Sequence, residues 1–190
     1  MKNAPCSAPF NNLYFGNRGA VMACCANKLH VLGTYPHQSI AEIWQGHRAN
    51  ELRQAMAQNI FDLGCTGCRL FLENSNRSGA PLTAYDNIHQ SDPQWPARLE
   101  FELTNTCNLE CIMCTGEYSS SIRERRERKP PLHDPYDRCF LLQLKDFIPH
   151  LIAVRFVGGE PFLIQKYFDI MDMIAEINPS IEIFIQTEPY

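Results

Sequence analysis

Apolar and polar residues alternate most regularly along Leu99-Glu100-Phe101-Glu102-Leu103-Thr104, the period of two that a strand with unlike faces requires. A second run, Leu151-Ile152-Ala153-Val154-Arg155-Phe156-Val157, is apolar without alternation and reads as a buried strand of the parallel type. Arg155 interrupts it and is expected to face the interior of the fold. Ile181, Ile183 and Ile185 alternate with Glu182, Phe184 and Gln186, giving a third strand. Between these strands the period changes to that of a helix. Phe140, Leu141, Leu144, Phe147 and Ile148 make one apolar stripe, and Ile164, Tyr167, Phe168, Met171 and Ile174 make another, ended by Asn178-Pro179. Strands alternating with helices in this way predict an α/β architecture with parallel strands.

The front of the chain has a different rhythm. Leu13-Tyr14-Phe15 and Ala20-Val21-Met22-Ala23 flank Gly16-Asn17-Arg18-Gly19, the pattern of a β-hairpin with a glycine-containing turn. Ser39-Ile40-Ala41-Glu42 is a capping box, so a short helix should run through Ile43 and Trp44 and stop near Gly46. A second helix is expected over Ala49 to Gln58, with Leu52, Ala55 and Met56 on one face; Trp44 is read as core. The segment Asn74-Ser75-Asn76-Arg77-Ser78-Gly79 is polar, and Pro81, Pro93 and Pro96 interrupt regular structure. The expected organisation is therefore a small α+β cysteine-rich domain at 1–75, a linker at 76–97 and an α/β domain at 98–190.

Composition narrows the functional classes. Apolar residues make up 45% of the 190 residues and charged residues 20%, enough core to exclude a disordered chain. A net charge of −4 gives no reason to expect nucleic acid as a partner. No apolar run approaches the roughly 18 residues that span a bilayer, so no membrane partner is expected. Met1-Lys2-Asn3-Ala4-Pro5-Cys6 lacks an apolar signal core, and the default location is the cytoplasm. The basic stretch Arg123, Arg125, Arg126, Arg128 and Lys129, interleaved with Glu124 and Glu127, reads as a solvated face with internal ion pairs rather than as a nucleic-acid or peptide arm.

Nine cysteines change the picture. In a reducing compartment, clustered cysteines hold metal or do chemistry more often than they form disulfides. Cys107, Cys111 and Cys114 follow the first strand with Cys-x3-Cys-x2-Cys spacing, so one loop can wrap three thiolates around one metal group. Cubane iron–sulfur clusters take four cysteine ligands, so three leave one iron open. Zinc loops more often pair cysteines and close the site with a fourth protein ligand. Gly158-Gly159-Glu160-Pro161 follows the second strand, on the rim where the cysteine loop also lies. Glycines there permit close backbone approach, and a carboxylate suits a cationic amine.

Those two motifs on those elements resemble the radical S-adenosylmethionine (SAM) enzymes. The resemblance implies a partial (β/α) radical SAM barrel of about three β/α units. It also implies that Cys107, Cys111 and Cys114 hold a 4Fe–4S cluster whose open iron binds SAM, with Met113 in the position before the last cysteine. Gly158, Gly159, Glu160 and Pro161 would contact SAM, including its ammonium. Glu100 and Glu102 share one strand face; alternation alone leaves open whether that face lines the interior or meets solvent.

The front region resembles the SPASM/twitch module attached to many radical SAM enzymes. Cys6 opens the pattern, Gly19 precedes Cys24 by five positions, and Leu32-Gly33, Glu42-Ile43-Trp44-Gln45-Gly46, Arg53 and Cys65-x2-Cys68 follow in order. The resemblance implies one auxiliary iron–sulfur cluster held by Cys6, Cys24, Cys65 and Cys68. Cys25 is an alternative to Cys24, and a four-cysteine zinc site is an alternative to the cluster. Cys139 is left as a core or boundary thiol of its helix.

This chain departs from the family in three places. It supplies about three β/α units where a radical SAM core normally has six strands, and Thr187-Glu188-Pro189 stands where Thr-Asn-Gly is common. The module also precedes the barrel instead of following it. The expectations are a fragment or truncated gene product, or a second chain that completes the barrel. Functionally, the resemblance implies reductive cleavage of SAM to start hydrogen-atom abstraction from a substrate such as a peptide. The electron would come from an external donor such as flavodoxin or ferredoxin. An iron–sulfur electron-transfer protein without SAM cleavage, and a zinc-stabilised binding module, are the alternatives.

Overall fold

The computed structural model describes residues 4–88 and 92–187. Six strands form one open sheet: β1 (Asn12–Phe15), β2 (Ala20–Met22), β3 (Gly33–Thr34), β4 (Arg98–Phe101), β5 (Ala153–Phe156) and β6 (Glu182–Ile185). Their order is β3-β2-β1-β4-β5-β6. The hairpin strands pair antiparallel, whereas β1, β4, β5 and β6 run parallel. The three core strands appear where alternation and apolar runs place them.

Among the described residues, six α-helices accompany the sheet: α1 (Ala8–Asn11), α2 (Ile40–Gln45), α3 (His47–Ala57), α4 (Thr66–Glu73), α5 (Arg138–Phe147) and α6 (Gln165–Ile177). The capping box forms at α2: the Ser39 side chain accepts from the Glu42 backbone, and the Glu42 carboxylate accepts from the Ser39 N–H. Both groups are helix-end orphans, so the box fixes where the helix begins.

The two faces of the sheet differ in kind. Leu13, Phe15, Leu99, Phe101, Val154 and Phe156 point to one side and pack against Trp44, Phe140, Leu144 and Tyr167 of the helices. Burying each large side chain contributes roughly 1.5–3 kcal/mol, so this is the main core. Asn12, Tyr14, Arg98, Glu100, Glu102 and Arg155 occupy the alternate positions and form the other face. Strand parity therefore sorts the fold into an apolar side that stabilises and a polar side that carries chemistry.

The hairpin of the front region and the strands of the rear region share this one sheet. Strand β1 pairs residue for residue with β4, Asn12 opposite Arg98 through Phe15 opposite Phe101. The segment expected as a linker folds into 3-10 turns at Arg77–Gly79 and Pro81–Tyr85. Leu82 and Tyr85, three residues apart and so eclipsed in a 3-10 turn, anchor it in a second core with Met56 and Phe61. Its prolines hide the helical or strand periods that sequence reading looks for.

Cys139 is exposed. It stands one position before Phe140, about 100° around α5 from the buried stripe, so the expectation of a core or boundary thiol is corrected. The basic stretch forms a π-helical turn at Ile122–Arg126. Arg125 and Arg126 both pair with Glu110 of the cysteine loop, and Arg123 with Glu117. Glu188 and Pro189 lie outside the described residues.

Candidate metal centres

The cysteine loop leaves β4 and is held by its neighbours. Asn105, buried, donates to the Gly116 carbonyl at 2.8 Å. The Ser120 backbone N–H donates to the Asn105 carbonyl at 2.7 Å, and the Cys107 N–H donates to the Ser120 hydroxyl at 3.0 Å. Ser119 donates to the Leu109 carbonyl at 2.6 Å. The Leu109 N–H lies 3.4 Å from the Cys107 sulfur and donates to it. Cys107 is buried, Cys111 and Cys114 partly so, and Met113 stands exposed at the rim.

The Gly158-Gly159 turn closes against this loop. Both glycines have positive φ, +77° and +53°. A Cβ on Gly158 would overlap the Glu102 side chain, and one on Gly159 would overlap the Thr106 carbonyl oxygen. The Glu160 N–H donates to that carbonyl at 2.8 Å, so the turn after β5 and the loop after β4 are stitched at one point. Gly159→Ala should therefore destabilise the protein by more than the ~1–2 kcal/mol of left-handed backbone alone. Urea unfolding checks this; an unchanged midpoint means the approach to Thr106 is not tight.

Together the loop and turn line a cavity of about 360 Å³ on the polar face of the sheet. It collects Cys107, Cys111, Cys114, Met113, Gly158, Gly159 and Glu160, all nominated from sequence except for their shared address; Pro161 is buried at the start of the turn that follows. Glu160 is buried, its carboxylate accepting from the Thr187 hydroxyl at 2.8 and 2.9 Å and from the Phe162 N–H at 3.2 Å. Glu102 also reaches the cavity and is buried, as is Glu100 behind it, so the face they share is interior. Burial raises the Glu102 carboxyl, against the lowering effects of the Tyr14 hydroxyl hydrogen-bonded to it and of Lys28. Lys28 donates to the Tyr118 hydroxyl at 2.7 Å across the cavity mouth.

A second cavity, lined by Cys6, Cys24, Cys65 and Cys68 with Met56, Phe61, Leu82 and Tyr85, lies at the second core. Cys65 caps α4 and Cys68 sits in its first turn. Gly64, at φ +82°, leaves room for the Asn27 side chain, which donates to the Cys65 sulfur at 3.3 Å. Burial pushes the Cys6 and Cys24 thiols up to about 12 and raises Cys65 and Cys68 as well. Metal loading here must release those protons, and it is disfavoured at low pH.

The donor set of four thiols in an apolar shell suits an iron–sulfur group as it suits zinc. The free space among them is about 20 Å³, so binding must part these side chains. Among the described residues, no three cysteine, histidine or carboxylate groups converge on a single metal ion.

Adjacent Cys24 and Cys25 face different cavities: Cys24 the second, Cys25 the first. Sequence reasoning missed Tyr14, Lys28, Tyr118 and Gln186 in the first cavity. Tyr14 had a signal, since it shares strand parity with Asn12; the others come from loops and a strand end, with no motif to mark them.

Residues 6–69 match the SPASM family, an iron–sulfur cluster-binding domain. No curated protein and no solved structure matches the chain. The front region is thus similar to a cluster-binding domain, and it sits within a mixed α/β fold. Among the described residues, no helix is long and apolar enough to cross a membrane.

Proposed function

We propose that this chain is a radical SAM protein with two iron–sulfur sites, one at Cys107, Cys111 and Cys114 and an auxiliary one at Cys6, Cys24, Cys65 and Cys68. The observation that carries this reading is the shared cavity of the three-cysteine loop and the Gly158-Gly159-Glu160-Pro161 turn. Cys107, Cys111 and Cys114 would hold a 4Fe–4S cluster, which would supply the electron for reductive cleavage of SAM.

The chain's own residues bind and orient. The Leu109 N–H and the Ser119–Ser120 contacts fix the loop around Cys107. Glu160, already shaped by Thr187, offers a carboxylate to the SAM ammonium, and the bare Gly158-Gly159 backbone admits the ligand closely. Met113 covers the rim. Glu102, which accepts from the Tyr14 hydroxyl, lines the same cavity.

The substrate is proposed to be a peptide, the electron donor a flavodoxin or ferredoxin, and the compartment the cytoplasm. Strand β6 exposes Ile183 and Phe184 at the sheet edge, where strands from a second chain would add.

Anaerobic reconstitution with iron and sulfide, followed by electron paramagnetic resonance, tests the reading. The expected result is two reduced cluster signals, one of them altered by SAM and lost in Cys107→Ala. Two clusters indifferent to SAM would leave a cluster-binding electron carrier; zinc in place of iron would leave a structural module.

A further inference from the structure

The first cavity holds a fourth thiol. Cys25 lines it together with Cys107, Cys111 and Cys114, although it comes from the turn after the hairpin and not from the cysteine loop. Its side chain is partly buried and packs against the small cluster of Tyr14, Met22 and Val157. Val157 immediately precedes the Gly158-Gly159 turn, whose end is stitched to Thr106, the residue before Cys107. In a cubane each thiolate ligates its own iron, so four sulfurs need to surround one cavity rather than converge on one ion.

The loop supplies three thiolates, which leaves the fourth iron to a donor from elsewhere on the cavity wall. Glu102 and Glu160 are carboxylates of that wall, and both already accept hydrogen bonds, Glu102 from the Tyr14 hydroxyl and Glu160 from the Thr187 hydroxyl and the Phe162 N–H. Their oxygens are also hard donors, whereas iron–sulfur groups select soft thiolate. Met113 offers a neutral thioether and stands exposed at the rim. Cys25 is the remaining sulfur. The second cavity does not need it, since Cys6, Cys24, Cys65 and Cys68 already give that site four thiols.

We propose that Cys25 is the fourth protein ligand of the cluster held by Cys107, Cys111 and Cys114, and that it yields that iron when SAM binds; this rests on the radical SAM reading of the same cavity. On loading, Cys25 releases its thiol proton to water as its sulfur bonds the iron. When the SAM amine and carboxylate take that place, the iron–sulfur bond to Cys25 breaks. The freed thiolate takes up the proton that the SAM ammonium gives off, and no electron moves. The resting site is thereby closed against water and oxidants, and SAM opens it.

The test uses the anaerobically reconstituted full chain. Iodoacetamide labelling, mapped by fragment ions that separate Cys25 from Cys24, should mark the exposed Cys139 in every state. Cys25 should be labelled in the metal-free chain, about tenfold more slowly after loading, and readily again when SAM is added without reductant. Mild oxidation gives a second readout, because a cubane iron without a thiolate is lost and leaves a paramagnetic 3Fe–4S cluster. That signal should be weak in SAM-free wild type and severalfold stronger in Cys25→Ala. Cys25 that stays reactive in the loaded, SAM-free chain overturns the proposal, as does an equal 3Fe–4S signal in wild type and variant; both leave the radical SAM reading intact. Protection that persists while SAM alters the cluster's paramagnetic signal also overturns it, since the thiol would then be shielded and not ligating. If Cys25→Ala fails to load, labelling of the wild type decides alone. A wild type whose signals ignore SAM overturns the radical SAM reading, and the exchange with it.

Discussion

Cys24→Ala should abolish the auxiliary cluster, while Cys25→Ala, one residue along, should leave it in place. The two side chains leave consecutive residues after the hairpin, and the cavities on either side separate them. Cys24 is gathered with Cys6, Cys65 and Cys68, and Cys25 with the cysteine loop. Four thiolates gathered in one cavity suit a fully ligated cubane cluster, and removing Cys24 takes one of its four ligands. In a background lacking Cys107, Cys111 and Cys114, iron content should fall from one cluster per chain to near zero for Cys24→Ala and stay unchanged for Cys25→Ala. The thermal midpoint of the reconstituted protein should follow the iron, because a metal that binds only the folded state stabilises it. The reverse pattern would mean that the turn after the hairpin aims its two thiols the other way, and that Cys25 belongs to the auxiliary site.

Local chemistry was legible in the sequence wherever a short period or spacing encoded it. Alternation marked β4, the Ser39 box marked the start of α2, and cysteine spacing marked both thiol sets. What stayed hidden was long-range. Nothing in Leu13-Tyr14-Phe15 says that it pairs with Leu99-Glu100-Phe101, because strand register between distant segments is set by packing of whole faces. The division into a small domain, a linker and an α/β domain follows composition, and the sheet crosses it. The polar network shows the same limit. Glu100 and Glu102 share a face by parity, but only the pairing of β4 with β1 and β5 brings Asn12, Tyr14 and Arg155 against them. Leu82 and Tyr85, in a stretch read as linker, turn out to wall the cavity of Cys6, Cys24, Cys65 and Cys68 because a 3-10 turn aligns them.

Glu100→Ala should be the most destabilising single change on the polar face. Removing this carboxylate leaves Arg98, with its side chain 8% exposed, as a buried cation without its partner. Breaking a buried pair in this way costs about 3–5 kcal/mol. For a chain of this size that is roughly a 10 °C fall in the unfolding midpoint. The two arginines that face Glu100 should differ in cost. Arg155→Met, which leaves the Arg98–Glu100 pair intact, should cost far less than Arg98→Met, which leaves Glu100 buried with only its half-open partner. A Glu100→Met/Arg98→Met double variant should recover much of the loss, since neither stranded charge remains and Met fills similar volume. If Arg155→Met proved as damaging as Glu100→Ala, its guanidinium would be the counter-charge on which the buried carboxylate depends, and Arg98 alone would not suffice.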